Sequence, residues 1–197
     1  MPLGAFKAAL MGTAGVVTGD VVLLSSQTAS NSATISFTSG ITSTYGEYIF
    51  KFYNINPATD GAGFTFQANA TDSTSYDETI TSTSFMAQHN EADGTPELGY
   101  LAGSDLAQGT AFQHLSYPNI GNGGDESAAG ELHLFNPAST TYVKHFTATS
   151  TILEADDANF ILFAAGYINT TTAIDDIQFK MSSGNFDGKI KMWGVKS

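Results

Sequence analysis

Glu47-Tyr48-Ile49-Phe50-Lys51-Phe52-Tyr53-Asn54-Ile55 is the longest aromatic run in the chain. Tyr48, Phe50 and Phe52 recur with a period of two, and successive strand residues point to opposite sides, so these three rings belong to one face of a β-strand. Aromatic and β-branched residues fit a pleated, half-buried surface. Working outward from this strand, Ala33-Thr34-Ile35-Ser36-Phe37-Thr38 and Gly63-Phe64-Thr65-Phe66-Gln67-Ala68 alternate in the same way. Further short runs of this type occupy 20–24, 79–88, 131–135, 142–149, 159–168, 174–181 and 189–195. Asn-Pro, Asp-Gly, Gly-Asn and Ser-Gly turn signals separate them. Around ten short strands with frequent turns indicate an all-β fold, an antiparallel β-sandwich of jelly-roll-like type. The helical patterns that an α/β fold needs between strands are missing.

Composition agrees. The chain has 197 residues, enough for one domain with a substantial core. Seven basic residues, all lysine, face 19 acidic ones, for a formal net charge of -12. Charged residues are only 13% of the chain, and 19 Ser and 24 Thr supply the polarity instead. With no arginine and this acidic balance, nucleic acid is excluded as a partner, because it requires a basic footprint. The chain has no cysteine, hence no disulfide frame, no thiolate zinc site and no cysteine nucleophile. No apolar stretch approaches the roughly 18–20 residues of a membrane span. Five of the seven lysines (Lys51, Lys144, Lys180, Lys189 and Lys191) fall within or beside expected strands. Many acids fall in turns, so negative charge is expected at the loop ends of the sandwich.

At the N-terminus, Leu3, Phe6 and Leu10 follow i, i+3, i+7, the spacing of one helical face. Pro2 suits a helix start, and Gly12 with Gly15 suits a stop. The expectation is a short helix or arm over 1–18, followed by a β-sandwich domain over 19–197. So short a helix is unstable alone in water. Its apolar face therefore docks either on its own domain or on a neighbouring subunit or host assembly, and Leu3, Phe6 and Leu10 are the candidate docking residues. Lys7 interrupts the apolar run and no basic n-region precedes it, which argues against a signal peptide.

Asn-Pro-Ala followed by Ser or Thr occurs twice between strands, at 56–59 and 136–139, and reads as two similar hairpin turns. The segment 90–130 is the least strand-like and is expected to form the most exposed loops.

Chemistry-bearing motifs are sparse. There is no nucleophile elbow, no zinc-protease helix motif and no phosphate-binding loop. Glu131 and His133 share a strand face, a pair able to bind a metal or exchange a proton but more often hydrogen-bonded on a sheet. His89 with Glu91 and Asp93 forms a similar group in a loop. Calcium is the metal best matched to the acidic loops at 91–93, 125–126, 154–157 and 175–176, since it takes oxygen ligands. None has the spaced Asp-x-Asp-x-Asp-Gly pattern, so no cofactor is expected and no metal ligand is assigned. Trp193, the only tryptophan, lies on a strand face with Lys189 and Lys191 while Ile190 and Met192 take the other. It is a candidate glycan-stacking or interface residue.

The two ends carry a family likeness. Met1-Pro-Leu-Gly-Ala-Phe-Lys-Ala-Ala-Leu-Met-Gly12 resembles the opening of virion structural proteins of marine tailed phages. Residues 174–196 resemble their closing hairpin: an apolar-alternating strand, Ser182-Ser183-Gly184-Asn185, an Asp187-Gly188 turn and a lysine-bearing strand ending Trp193-Gly194-Val195-Lys196. The resemblance implies a non-enzymatic particle component, capsid-decorating or part of a tail or fibre, and often a homotrimer. Its partners would be other virion proteins, its place the virion exterior and its site of synthesis the host cytoplasm. It supplies no catalytic residues. A carbohydrate- or receptor-binding module of a phage adhesin, contacting a host surface glycan, is the alternative. A polysaccharide hydrolase or lyase would need two carboxylates at a defined separation.

Overall fold

A computed structural model describes residues 20–94 and 96–196. The expected arm with Leu3, Phe6 and Leu10 lies outside the described residues. Among the described residues there are twelve strands and no helix. In chain order these are β1 (Val21–Ser32), β2 (Ile35–Phe37), β3 (Glu47–Pro57), β4 (Phe64–Ala70), β5 (Ile80–Asn90) and β6 (Glu97–Tyr100). They continue with β7 (Gln113–His114), β8 (Ala128–Phe135), β9 (Lys144–Glu154), β10 (Ala158–Ile168), β11 (Ile174–Met181) and β12 (Phe186–Val195). They build an eight-stranded sheet in the order β1-β12-β3-β8-β9-β10-β5-β6 and a four-stranded sheet in the order β2-β11-β4-β7. Every pairing is antiparallel. The chain is an antiparallel β-sandwich, as the alternating pattern indicates.

The inward faces follow the period of two. Tyr48, Phe50 and Phe52 of β3, Leu132 and Leu134 of β8, and Ile190 and Met192 of β12 are buried from the large sheet. Ile177, Phe179 and Met181 of β11, with Phe64 and Phe66 of β4, are buried from the small one. Ring contacts join the layers: Phe37 meets Phe50 at 5.5 Å, Phe52 meets Phe64 at 5.1 Å and Phe66 meets Phe146 at 5.2 Å. Edge-to-face and offset rings at these separations add to the area they bury. Tyr48 keeps its hydroxyl satisfied inside this core by donating to the Thr42 carbonyl at 2.8 Å and accepting from the Thr42 amide at 2.7 Å.

Two expectations are corrected. The segment 90–130 is poor in strand and exposed over much of 91–103, as expected, but it is not exposed throughout. Ser104, Gln113, Leu115, Ser116 and Ile120 are buried, and 101–120 packs over the outer side of β4. Gln67, on that side, donates its amide to the carbonyls of Glu78 and Ala111 at 3.0 and 3.1 Å. Gln113 donates to the Ser104 carbonyl at 2.8 Å and accepts from the Ser82 hydroxyl at 2.6 Å. These polar side chains are buried because they are hydrogen-bonded, which composition does not reveal. The two Asn-Pro-Ala turns also differ. The one at 136–139 closes a β8–β9 hairpin, whereas the one at 56–59 carries the chain from the large sheet to the small one. Lys144 lies in a strand, β9, as expected. It is fully buried and donates to the carbonyls of Tyr142 and Thr170 at 2.9 and 3.0 Å, and burial pushes its pKa down.

Candidate functional site

The small sheet covers the inner side of the large one, so the outer face of the large sheet is the surface on which strand-borne polar groups gather. Pairing of β3 with β8 sets Lys51 opposite Glu131 and Ile49 opposite His133. Lys51 Nζ lies 3.1 Å from Glu131 Oε2, and His133 Nε2 lies 3.2 Å from Glu131 Oε1. His133 Nδ1 lies 2.5 Å from Glu47 Oε1. The Glu131–His133 pair read from the sequence is therefore real, and the fold adds Glu47 and Lys51 to it. Partial burial raises the Glu131 pKa, but hydrogen bonds from His133 and Lys51 outweigh that and hold its carboxyl below the ordinary value. The four groups satisfy one another across two strands.

Beside this cluster β3 is irregular. Phe52 pairs with Gly130 and Ile55 with Ala128, so two residues of β3, Tyr53 and Asn54, stand against Ala129 alone. The pairing with β12 slips at the same place, between Asp187 and Lys189. Asn54 adopts φ 51° and Gly188 φ 143°. A bulge bends its strand and re-aims side chains. Here it leaves Tyr53 projecting, 39% exposed, between two shallow grooves. The first, about 400 Å³, is lined by Lys51, Tyr53, Glu131, Thr149, Thr151 and Ile161 among others. The second, about 490 Å³, is lined by Thr28, Tyr53, Asn54, Asp187 and Lys189 among others. The Lys191 ammonium lies 5.8 Å from the Tyr53 ring centre and 6.0 Å from that of Trp193. Trp193 itself is partly buried in the same face, paired with Leu23 of β1 and Ile49 of β3.

Both lateral edges of the large sheet end in apolar side chains. At β1, Val21 and Leu23 are 54% and 51% exposed. At β6, Leu98 and Tyr100 are 75% and 60% exposed, and neighbouring Phe85 of β5 stacks on Phe163 at 4.9 Å.

The acidic loops bind their own backbone. Glu126 accepts from the Gly123 amide, and Glu154 accepts from the Asn119 amide group and, at 2.9 Å, from the Asp156 amide. His89 lies 3.4 Å from Asp93, whose side chain is solvated. Burial, with the Asp176 charge beside it, pushes the Asp175 carboxyl up. Among the described residues no group of three or more His, Asp or Glu side chains is placed to hold a metal ion. No helix of the described residues is long and apolar enough to cross a membrane.

No protein-family model, curated protein or solved structure matches the chain. The fold and the outer-face geometry therefore carry the functional reading. Sequence reasoning singled out Trp193 and missed Tyr53. The signal was available: Tyr48, Phe50 and Phe52 point inward, which puts Tyr53 on the opposite side.

Proposed function

We propose that this chain is a non-enzymatic structural subunit of the outer surface of a virion, of the capsid-decorating or tail and fibre type, working as a homo-oligomer. The observation that supports this reading is the pair of exposed apolar patches, Val21 with Leu23 and Leu98 with Tyr100 and Phe85, at opposite edges of one sheet. Exposed apolar edges are an aggregation hazard for a protein that works alone, and soluble monomers usually blunt them. Two different patches at opposite edges suit a head-to-tail contact, which closes into a ring when the rotation allows, as in a trimer. The resemblance of both chain ends to virion proteins of marine tailed phages points the same way. Leu3, Phe6 and Leu10 are then the attachment to other virion proteins.

Light scattering on the purified full chain tests assembly: a discrete oligomer is expected, and Leu23→Asp combined with Leu98→Asp should convert it to monomers of unchanged circular dichroism. A wild-type chain that stays monomeric at every concentration overturns the oligomer. Mass spectrometry of purified particles from the source tests placement. Finding the chain in intact particles supports it, and its absence from them overturns it.

A further inference from the structure

We propose that the double groove centred on Tyr53 is a binding site for a neutral sugar chain. The site is separate from the apolar edges: neither groove is lined by Val21, Leu23, Leu98 or Tyr100. The two grooves meet at Tyr53 and draw on β1, β12, β3, β8, β9 and β10, six neighbouring strands. With strands about 4.8 Å apart, the track crosses the sheet for roughly 24 Å. That is the reach of a short oligosaccharide lying across the strands rather than of a small metabolite. An enclosed pocket would be needed to bury a small ligand, and these grooves are open.

The lining has the chemistry that sugars require. A pyranose ring offers an apolar C–H face and a rim of hydroxyls that both donate and accept. The Tyr53 ring, held out by a bulge at its own position, is a stacking platform, and Ile161 adds an apolar wall. Along the rim, donors and acceptors are interleaved. Lys51 and Lys189 donate, Glu131 and the second oxygen of Asp187 accept, the hydroxyls of Thr28 and Thr149 do either, and Thr151, which donates to Asn159 Oδ1 at 2.7 Å, accepts. The bulge adds nothing to the ladder: it gives up regular pairing on both sides of β3 and requires left-handed backbone at Asn54. Bulges concentrate where a side chain must be re-aimed.

Charge selects against polyanions. Lys51 is paired with Glu131 at 3.1 Å, Asp187 lines the same groove as Lys189, and the molecule carries a formal net charge of -12. A nucleic acid or a sulfated polymer meets overall repulsion, and Lys51, Lys189 and Lys191 on this face stand among Glu131 and Asp187 rather than forming a continuous basic stripe. An extended apolar ligand would strip water from the Lys51–Glu131 pair and offer nothing to the hydroxyls of Thr28 and Thr149.

The test is a printed array of hexose-only, uronic-acid and sulfated oligosaccharides, probed with the full chain and followed by calorimetry with the best neutral hit. Wild-type protein should bind neutral chains of several residues. Tyr53→Ala should weaken that binding about ten-fold or more, Tyr53→Trp should retain it, and Thr149→Ala with Thr151→Ala should weaken it further. Thermal melting of each variant close to wild type shows that the fold is intact. No binding to any neutral chain, binding confined to uronic-acid or sulfated chains, or binding untouched by Tyr53→Ala each overturns the proposal. Because none of these substitutions touches the apolar edges, the oligomer measured by light scattering is unaffected by either result.

Discussion

Phe179 is the residue on which the two layers are centred. Its ring lies 6.1 Å from Phe37, 5.5 Å from Phe50 and 5.8 Å from Phe64, so it touches both sheets. Phe179→Ala should cost about 3–5 kcal/mol, the transfer of a ring plus the cavity that neighbours on three sides cannot fill. Urea unfolding measures this, and Phe179→Leu should cost clearly less. His114 makes a different contribution. Its Nδ1 is buried with no hydrogen-bond partner, and the ring lies so close to Gly63 that a Cβ there would meet Nδ1 at 2.8 Å. Burial holds its pKa below the ordinary value. The unfolded chain takes up a proton near about pH 6.5, where the folded chain resists it. Stability contributed by neutral His114 is therefore complete above that pH and is lost as pH falls through it. The melting temperature should drop between pH 7.5 and about 5.5, and His114→Gln should flatten the drop. The depressed Glu131 acts in a lower window: its contribution is complete above the ordinary carboxylate value, about 4.3, and is lost as pH falls further. The two are separable by pH alone.

At the level of the strand, the sequence shows most where one face is buried and least where partners intervene. β11 was legible to the residue, because Ile177, Phe179 and Met181 alternate cleanly with polar neighbours. β1 was legible only in its first apolar part. Its continuation through Ser25, Ser26 and Thr28 is an edge strand held by ladder bonds to β12, which polar residues supply as well as apolar ones. β6 and β7, of four and two residues, are too short for periodicity to register. The bulge in β3 is invisible in one strand, since a bulge exists only relative to its neighbours, here β8 and β12. Hence Glu131 with His133 could be foreseen as a pair, whereas the grooves around Tyr53 could not. Gly188 tests this account. At φ 143° it favours glycine, and a Cβ there would meet Ile55 Cδ1 at 2.7 Å and the Asn54 carbonyl at 2.9 Å. Gly188→Ala should destabilise by about 1–3 kcal/mol in urea unfolding, while Asn54→Gly, which suits φ 51°, should be nearly neutral.

Over the whole molecule, the formal net charge of -12 and the apolar edges pull in opposite directions. Exposed acids such as Asp60, Asp72, Asp93, Asp125 and Asp157 lie in turns, and Lys51, Lys189 and Lys191 lie on one sheet face. Two copies meeting through Val21, Leu23, Leu98 and Tyr100 bring like-charged bodies together while burying uncharged side chains. Repulsion between the bodies acts over a Debye length, which falls from about 30 Å at 0.01 M salt to about 10 Å at 0.1 M. The buried apolar contact is not weakened over that range. Association should therefore tighten as sodium chloride is raised from 0.01 to 0.1 M, and sedimentation velocity at fixed protein concentration should show the boundary shifting toward the oligomer. Contacts built instead on complementary charge, such as Lys191 against an acidic loop of the next copy, would respond with the opposite sign, because salt screens attraction as well as repulsion. Dissociation on adding salt would thus move the interface from the apolar edges to the charged face. In that case the grooves at Tyr53 would be covered in the oligomer, and sugar binding would have to compete with assembly.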